Sequence, residues 1–433
     1  MQGVVLKMNK KIVILKKHKY MFAFFFLMFL AQFIGNGDKM SEGDIVCYTY
    51  HLVDYQLGFI STVLPGQIFM FLFRKPNMMI FRIYSFTLLI LAFLGVAYLL
   101  EKIYLSAPNR HKLAYSYVIG LFCISGGIFH IFYYKIGLLD VYWVCSFVIF
   151  FFLLQNKKTW FLIPFCFVFM VMVHFGAFLC YIPMMSIVLL YEAAVSREKS
   201  ERKYLIIIFA LSVVSAALVF GVLLYNGENN VSCTKEQLHA LLQERGSDYF
   251  CYYDYFVFKE FKSDLLGVTL TEKDFVFIKS ESFPVFIKTV LNRFIYQICY
   301  NYRLSVERIR NDNKCLMIDF SLILSLIPIV VFYHKCGKTL YRLSESNRLK
   351  KFSLFCGLAF VIFSFLGISI FTVDRVRYFH HTIICIFAFF LYLMFKEKKL
   401  FGEIIKSNIE KIETKGLLIF AVVTFLSRFD PYY

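Results

Sequence analysis

The chain has 433 residues, of which 59% are hydrophobic and 20% aromatic, with a formal net charge of +18. A soluble domain of this length is about 45–50% apolar. The higher apolar fraction of this chain, together with its mean hydropathy of +0.65, excludes an ordinary soluble domain. The positive charge lies in short segments between apolar blocks. No nucleic-acid-binding motif accompanies it, so it does not indicate a nucleic-acid partner.

The apolar residues form blocks roughly 15–25 residues long, which predicts an all-α protein. We expect one integral membrane domain, residues 1–433, built as a polytopic transmembrane bundle of about 10–11 helices with external re-entrant and interfacial helices. Lysines precede the first block, Tyr20–Gly35, and no small-residue cleavage site follows it. This block is therefore predicted to be an uncleaved helix with a cytoplasmic N-terminus.

The first external loop, residues 36–79, mixes acidic and apolar residues. Asp44 and Asp54 precede an apolar stretch, Gly58–Phe73, which Gly and Pro interrupt. That stretch is too short and too broken for a spanning helix, which needs about 20 apolar residues. We predict a re-entrant or interfacial segment that holds carboxylates at the lipid–water boundary, where acidic side chains are costly and usually functional.

Three further blocks, Ile80–Leu100, Leu113–Phe129 and Leu138–Gln155, are predicted membrane helices. The next block, Trp160–Tyr191, lies between two basic segments. Because both ends should be cytoplasmic, it is predicted to cross twice as a helical hairpin with His174 at the outer turn. A single long tilted helix is the alternative.

The block Leu205–Tyr225 leads into a long external loop, residues 226–316. Its periodic apolar pattern predicts amphipathic helices on the membrane surface. Cys233 and Cys251 in this loop could form a disulfide. Most of the other cysteines lie inside apolar blocks and are expected to act as small hydrophobic residues.

Two blocks near the end of the chain, Phe352–Phe371 and Phe379–Phe395, flank a short external loop, TVDRVRYFHH. Positive charge at external helix ends has no explanation in membrane topology, and arginine is suited to bidentate phosphate binding. We therefore predict that polar residues at the external ends of several helices bind the phosphate of a lipid substrate. They are Arg74 and Arg82 near the first external loop, and Asp374, Arg375, Arg377 and His380 in TVDRVRYFHH.

Structural roles remain open for the same residues. Arg74 and Arg82 could extend to the phosphates of ordinary lipids. His174 could be a structural residue of a turn, and Asp140 could cap the N-terminus of its helix. Asp374 could form ion pairs with the neighbouring arginines and so close the loop.

Sugar transfer from a polyprenyl-phosphate donor needs a base for the acceptor hydroxyl and cations for the leaving phosphate. Asp54 or Asp44 is predicted as the base, with Asp54 preferred because DYQLGF leads into the re-entrant segment. His174 is predicted to orient the acceptor. The sequence contains no specific metal-binding motif, although Asp54 and Asp374 could approach Mg²⁺ or Mn²⁺ through water molecules.

The layout resembles two groups of bacterial envelope enzymes. The polyprenol-dependent glycosyltransferases of the multi-helix (GT-C) type carry a catalytic Asp in the first external loop, where GDIVCYTYHLVDYQLGF stands here. The exopolysaccharide and O-antigen polymerases resemble this chain in KIGLLDVYW, MVMVHFGAF and DRVRYF, although they often carry Arg where this chain has Asp140.

This resemblance implies a membrane glycosyltransferase or glycan polymerase in cell-envelope polysaccharide synthesis. Its expected partners are a polyprenyl-linked sugar, a glycan acceptor and membrane lipid, and its expected location is the bacterial cytoplasmic (inner) membrane. A transporter or flippase would favour charges at helix centres and inverted repeats, whereas the apolar blocks here are nearly free of charge at their centres. A membrane acyltransferase would need a cytoplasmic acyl-CoA entrance, and a non-enzymatic scaffold would not need the external charges.

Overall fold

The computed structural model describes residues 18–33, 45–57, 62–125, 137, 139–226, 234–249, 331–344, 347–371, 375–412 and 414–426. Every regular element in these ranges is a helix, and they contain no strand. The prediction of an all-α protein is therefore confirmed for the described part of the chain. The possible Cys233–Cys251 disulfide lies outside it.

We number the helices in chain order: α1 Lys19–Phe33, α2 Ile45–His51, α3 Val63–Leu72, α4 Met78–Ser106, α5 Lys112–Ile124, α6 Asp140–Leu154, α7 Ile163–Val173, α8 Tyr181–Val195, α9 Lys199–Asn226, α10 Lys235–Glu244, α11 331–343, α12 Arg348–Phe371, α13 Arg375–Lys396, α14 Leu400–Glu410 and α15 Thr414–Leu426. Short 3₁₀ helices cover Tyr55–Leu57, Asn109–His111, Lys157–Leu162 and Phe175–Leu179. These short helices mostly connect the longer ones.

Three described helices are long and apolar enough to cross a membrane: Met78–Ser106, Lys199–Leu223 within α9, and Arg377–Lys396 within α13. They differ in position within the bundle. In α13, 89% of the apolar window is buried in the protein, against 22% in α9. Helix α13 therefore lies at the centre of the bundle, and α9 exposes most of its apolar surface.

Helices α7 and α8 form a hairpin along α9. Lys157 pairs with Glu201 near the start of α9, and Ser196 Oγ donates to the same carboxylate at 3.0 Å. Toward the other end of α9, Phe178 packs against Phe220 with ring centroids 4.7 Å apart. Both ends of the apolar block thus lie together and its turn lies opposite, so the block is a helical hairpin and not a single long helix. That it crosses a membrane twice stays a prediction.

The segment predicted as a short loop before α13 is partly helical. Helix α13 begins at Arg375, four residues before the predicted start at Phe379. No Gly or Pro in this stretch opposes a helix. The earlier start places Arg377 and His381 four residues apart on one helix, so they share a face.

The first-loop segment packs against part of the long loop. Helix α3 approaches the end of the α2 segment so closely that a Cβ on Gly66 would overlap the Val53 carbonyl oxygen. Leu238 and Leu242, the apolar face of α10, are fully buried in the same apolar cluster as Val53. This amphipathic helix therefore packs its apolar face on protein. Most of the loop that was predicted to form amphipathic helices on the membrane surface, residues 250–316, lies outside the described residues.

Candidate functional site

A buried carboxylate lies at the start of α6. Asp140 has no exposed surface, and two groups of α13 converge on its Oδ2 atom. Arg377 Nε lies 2.6 Å from Oδ2, and His381 Nε2 lies 2.9 Å from it. Its Oδ1 atom has no hydrogen-bond partner among the described residues. An acidic residue is favourable in the first turn of a helix, but burial of its charge requires the compensation that Arg377 supplies.

His381 links this carboxylate to a tyrosine on α8. Because a carboxylate only accepts hydrogen bonds, His381 Nε2 donates to Asp140. His381 Nδ1 is then the acceptor for the Tyr181 hydroxyl, 2.8 Å away. The side chains of all three residues are fully buried. Arg377 supplies the positive charge that compensates this buried carboxylate.

His174 lies at the turn of the α7–α8 hairpin, beside the same group. Its Nδ1 atom accepts from the Gly176 amide at 3.0 Å, and the Tyr378 hydroxyl lies 3.4 Å from that nitrogen. The remaining proton is therefore on Nε2, which is a donor. Burial, together with the nearby Arg377 cation, lowers the pKa of His174, so its ring is neutral. We refer to Asp140, His174, Tyr181, Arg377 and His381 as the Asp140 cluster.

Trp143 forms a shared wall of this cluster. Its ring centroid lies 5.2 Å from that of His381 and 5.8 Å from that of His174, edge to face in both cases. The indole Nε1 donates to the Met170 carbonyl at 2.9 Å and so fixes the ring. Trp143 is three residues after Asp140, on the same face of α6. One helical turn therefore supplies both the carboxylate and the wall that positions the histidines.

Asp54, the predicted base, lies in a separate ion pair. Its Oδ2 atom is 3.0 Å from Arg245 Nη2, and its Oδ1 atom accepts from the Gln56 backbone N–H at 3.1 Å. Arg245 also donates to the Leu52 carbonyl, and its own carbonyl accepts from Tyr48 at 3.1 Å. Both carboxylate oxygens of Asp54 are thus engaged. Its role as a base stays a prediction.

The other predicted residues differ in where the structure places them. Arg74, between α3 and α4, and Arg82, near the start of α4, are exposed and lie outside the Asp140 cluster. His380 is buried next to His381. Of the predicted set, the structure brings Arg377 and His174 together.

Three predicted positions lack a described side chain. Asp44 and Asp374 lie outside the described residues, and Arg375 is described only as the first residue of α13. The proposed approach of Asp54 and Asp374 to Mg²⁺ or Mn²⁺ therefore includes a position outside the described part. Within that part, no group of three or more His, Cys, Asp or Glu residues is arranged to hold a metal ion.

Sequence reasoning placed His381 with the polar residues at external helix ends but chose His380 for the phosphate site, and it gave Asp140 a capping role as an equal alternative. It did not single out Tyr181. One signal for His381 was available, because a helix that includes Arg377 places His381, not His380, on the same face. Tyr181 carries no such signal. It lies in an apolar block where a tyrosine is unremarkable by its sequence context.

No protein-family model, curated protein or solved structure matches this chain. The functional argument therefore depends on the cluster itself. Three separate segments of the sequence meet there, because KIGLLDVYW contributes Asp140, MVMVHFGAF contributes His174 and DRVRYF contributes Arg377.

Proposed function

We propose that this chain is a membrane glycosyltransferase or glycan polymerase that uses polyprenyl-phosphate-linked sugars, with the Asp140 cluster as its phosphate site. The observation that carries the proposal is a fully buried carboxylate that fixes Arg377 and His381 at one end of an apolar helical bundle. Three helices that could span a membrane support a membrane location. We propose that the other apolar blocks also cross, and that the cluster faces outward in a bacterial cytoplasmic membrane.

Arg377 is the phosphate-binding residue in this proposal. Asp140 Oδ2 forms an ion pair with the Arg377 Nε atom at 2.6 Å, and 19% of the Arg377 side chain remains accessible. A planar guanidinium matches the geometry of phosphate oxygens. Arg377 is also the third residue of α13, where backbone amides favour an anion. A lipid pyrophosphate would therefore meet both groups at the same place.

His174 is proposed to hold an oxygen of the acceptor. Its Nδ1 atom is occupied by the Gly176 amide and the Tyr378 hydroxyl, so only the Nε2 proton is presented to a substrate. A histidine in this tautomer donates a hydrogen bond and does not remove a proton. The base is therefore a different residue.

In the proposed reaction, the acceptor oxygen bonds to the anomeric carbon of the donor sugar. The bond from that carbon to the phosphate oxygen breaks, and its electron pair leaves with the phosphate, where Arg377 stabilises the charge. The proton of the acceptor hydroxyl passes to a base. Asp54 is a weak candidate for this base, because Oδ2 is paired with Arg245 and Oδ1 accepts from the Gln56 backbone N–H.

The proposal is tested by mass spectrometry of lipid-linked saccharides. The gene is deleted from the host, and the wild-type, Arg377→Ala or Arg110→Ala form is then supplied. The control, Arg110, forms an exposed ion pair with Glu403 at 2.6 Å. We expect wild type and Arg110→Ala to restore the normal pool, and Arg377→Ala to fail. Accumulation of one complete repeat unit would identify a polymerase, and a repeat lacking one sugar would identify a transferase. A pool unaffected by loss of the gene would contradict both and favour transport or acyl transfer.

A further inference from the structure

Another histidine, outside the Asp140 cluster, has a buried ring nitrogen without a hydrogen-bond partner among the described residues. His51 is the last residue of α2 and is 1% exposed. Its Nδ1 atom lies 2.8 Å from the Cys47 carbonyl oxygen. A carbonyl only accepts, so Nδ1 carries the proton and Nε2 is an acceptor. Nε2 has no hydrogen-bond partner among the described residues.

A buried hydroxyl on α4 also lacks a hydrogen-bond partner among the described residues. Ser85 is 2% exposed, and its Oγ atom also lacks a hydrogen-bond partner in the described part of the chain. Ser85 lies one helical turn after Phe81 on α4, and the Phe81 ring is 5.1 Å from that of His51. Gly137, with φ of +97°, approaches so closely that a Cβ there would lie 3.1 Å from Ser85 Oγ. A Cβ on Gly137 would also meet the Phe81 ring, so Phe81 links the surroundings of His51 and Ser85 between α2, α4 and the turn before α6.

The site lies next to the Asp140 cluster. Gly137 precedes Asp140 by three residues, and the Tyr142 ring lies 5.9 Å from that of His51. The titratable groups that face His51 from α4 and α6 are the hydroxyls of Tyr84 and Tyr142, which bond to each other at 2.7 Å. The His51 site and the phosphate site therefore border the same first turn of α6.

Buried polar groups in proteins nearly always have partners, and an unpaired group calls for an explanation. His51 Nε2 needs a donor, and Ser85 Oγ can donate or accept. A hydroxyl group satisfies both, because it donates its proton to His51 Nε2 and accepts from Ser85. The Cys47 carbonyl fixes the tautomer and direction of the imidazole ring, as the partner of a general base must do.

We propose that His51 and Ser85 bind the reacting hydroxyl of the acceptor glycan, and that His51 Nε2 is the base that removes its proton. This inference rests on the proposed glycosyl transfer. As the acceptor oxygen bonds to the anomeric carbon, its proton moves to Nε2, and the electron pair of the broken carbon–oxygen bond leaves on the phosphate. His51 becomes an imidazolium and returns its proton to solvent or product. Burial lowers the pKa of the free histidine to about 4, so its ring is in the neutral, accepting form at pH 7.

The test measures sugar transfer by purified protein in proteoliposomes, with the lipid-linked saccharide pool extracted from the host as substrate. His51→Phe keeps a ring of similar size but removes Nε2. The matched control is Phe69→Leu, which alters the packing beside His51, where the ring centroids are 5.7 Å apart, and leaves the imidazole intact. We expect His51→Phe to lower kcat by about 100-fold or more, and Phe69→Leu to change it by less than about threefold. Ser85→Ala should mainly raise KM for the acceptor.

An independent readout is ¹⁵N-histidine NMR of the protein in nanodiscs, with His51 assigned as the signal that His51→Phe removes. We expect a protonated Nδ1 and an unprotonated Nε2 at pH 7. A protonated Nε2, an active His51→Phe variant, or equal losses in His51→Phe and Phe69→Leu would each overturn the base role while wild-type transfer still supports the proposed function. If wild type transfers no sugar, the proposed function fails and the base role falls with it.

Discussion

The two ends of α13 carry ionic groups that are built in different ways. At the C-terminal end, Glu192 accepts from Lys396 at 2.6 Å and from the Tyr392 hydroxyl. The adjacent Glu397 accepts from Tyr191 at 2.7 Å and from Lys350 at 2.5 Å. In this Glu192 network, made of these six residues, two carboxylates face two ammonium groups and each carboxylate has two donors. Its charges are matched, and its lysines are partly exposed.

At the N-terminal end, the donors are concentrated on one oxygen. Arg377 and His381 both approach Asp140 Oδ2, and Oδ1 has no partner among the described residues. Asp140 is fully buried, whereas Glu192 is 12% exposed. In the Glu192 network, each carboxylate is paired with a partly exposed lysine, so the network needs no further ligand. The proposed phosphate site therefore lies at the N-terminal end, where the carboxylate is fully buried and one of its oxygens has no partner among the described residues.

The largest expected effect separates the two carboxylates directly. Asp140→Asn leaves Arg377 without its countercharge, and we expect activity to fall by about 10²–10³-fold because the phosphate-binding group loses its orientation. The free energy of unfolding should fall by about 3–5 kcal/mol, as for removal of one partner of a buried ion pair. Glu192→Gln should retain activity and lose about 1–3 kcal/mol. Transfer rates and thermal unfolding in detergent micelles measure both; equal losses of activity would contradict the assignment.

A smaller effect distinguishes two tyrosines of α8, one at each end. Tyr181→Phe removes the donor to buried His381 Nδ1, and we expect a loss of about 1–3 kcal/mol because the acceptor is left unpaired. Activity should fall about tenfold, since the histidine no longer has a fixed orientation. Tyr191→Phe removes a donor to Glu397, which still has Lys350, so its activity should be unchanged. A Tyr191→Phe variant that loses as much activity as Tyr181→Phe would show that the two ends are not functionally distinct.

Sequence reasoning found the parts of this arrangement that depend on neighbouring residues. The charge pattern around Trp160–Tyr191 predicted the hairpin, and it placed His174 at the turn, near Arg377. The pairing of Asp140 with His381 joins residues 241 positions apart, and no local pattern encodes such a contact. The choice between His380 and His381 depended on whether α13 begins before Arg377, because each residue turns a helix by about 100°.

The sequence did not predict the Asp54–Arg245 pair either, because no local pattern encodes a contact between residues so far apart in the chain. Its partners are 191 residues apart, and Arg245 follows a helix that was expected to lie on the membrane surface. The apolar face of α10, with Leu238 and Leu242, instead packs into the cluster around Tyr48 and Val53. Periodicity predicts that such a face is buried, but it does not predict what covers it.

The smallest expected effect on activity concerns the Asp54–Arg245 pair. The test distinguishes an anchoring role for Asp54, as in the Glu192 network, from a functional role, as proposed for the Asp140 cluster. Both Asp54 oxygens accept hydrogen bonds, as the acidic groups of the network do. We therefore expect Asp54→Asn to lower activity by no more than about tenfold. In a double-mutant cycle with Arg245→Gln, thermal unfolding should give a coupling of about 0.5–3 kcal/mol. Loss of all activity in Asp54→Asn, with folding and the Arg245→Gln variant unaffected, would make Asp54 the base and remove that role from His51.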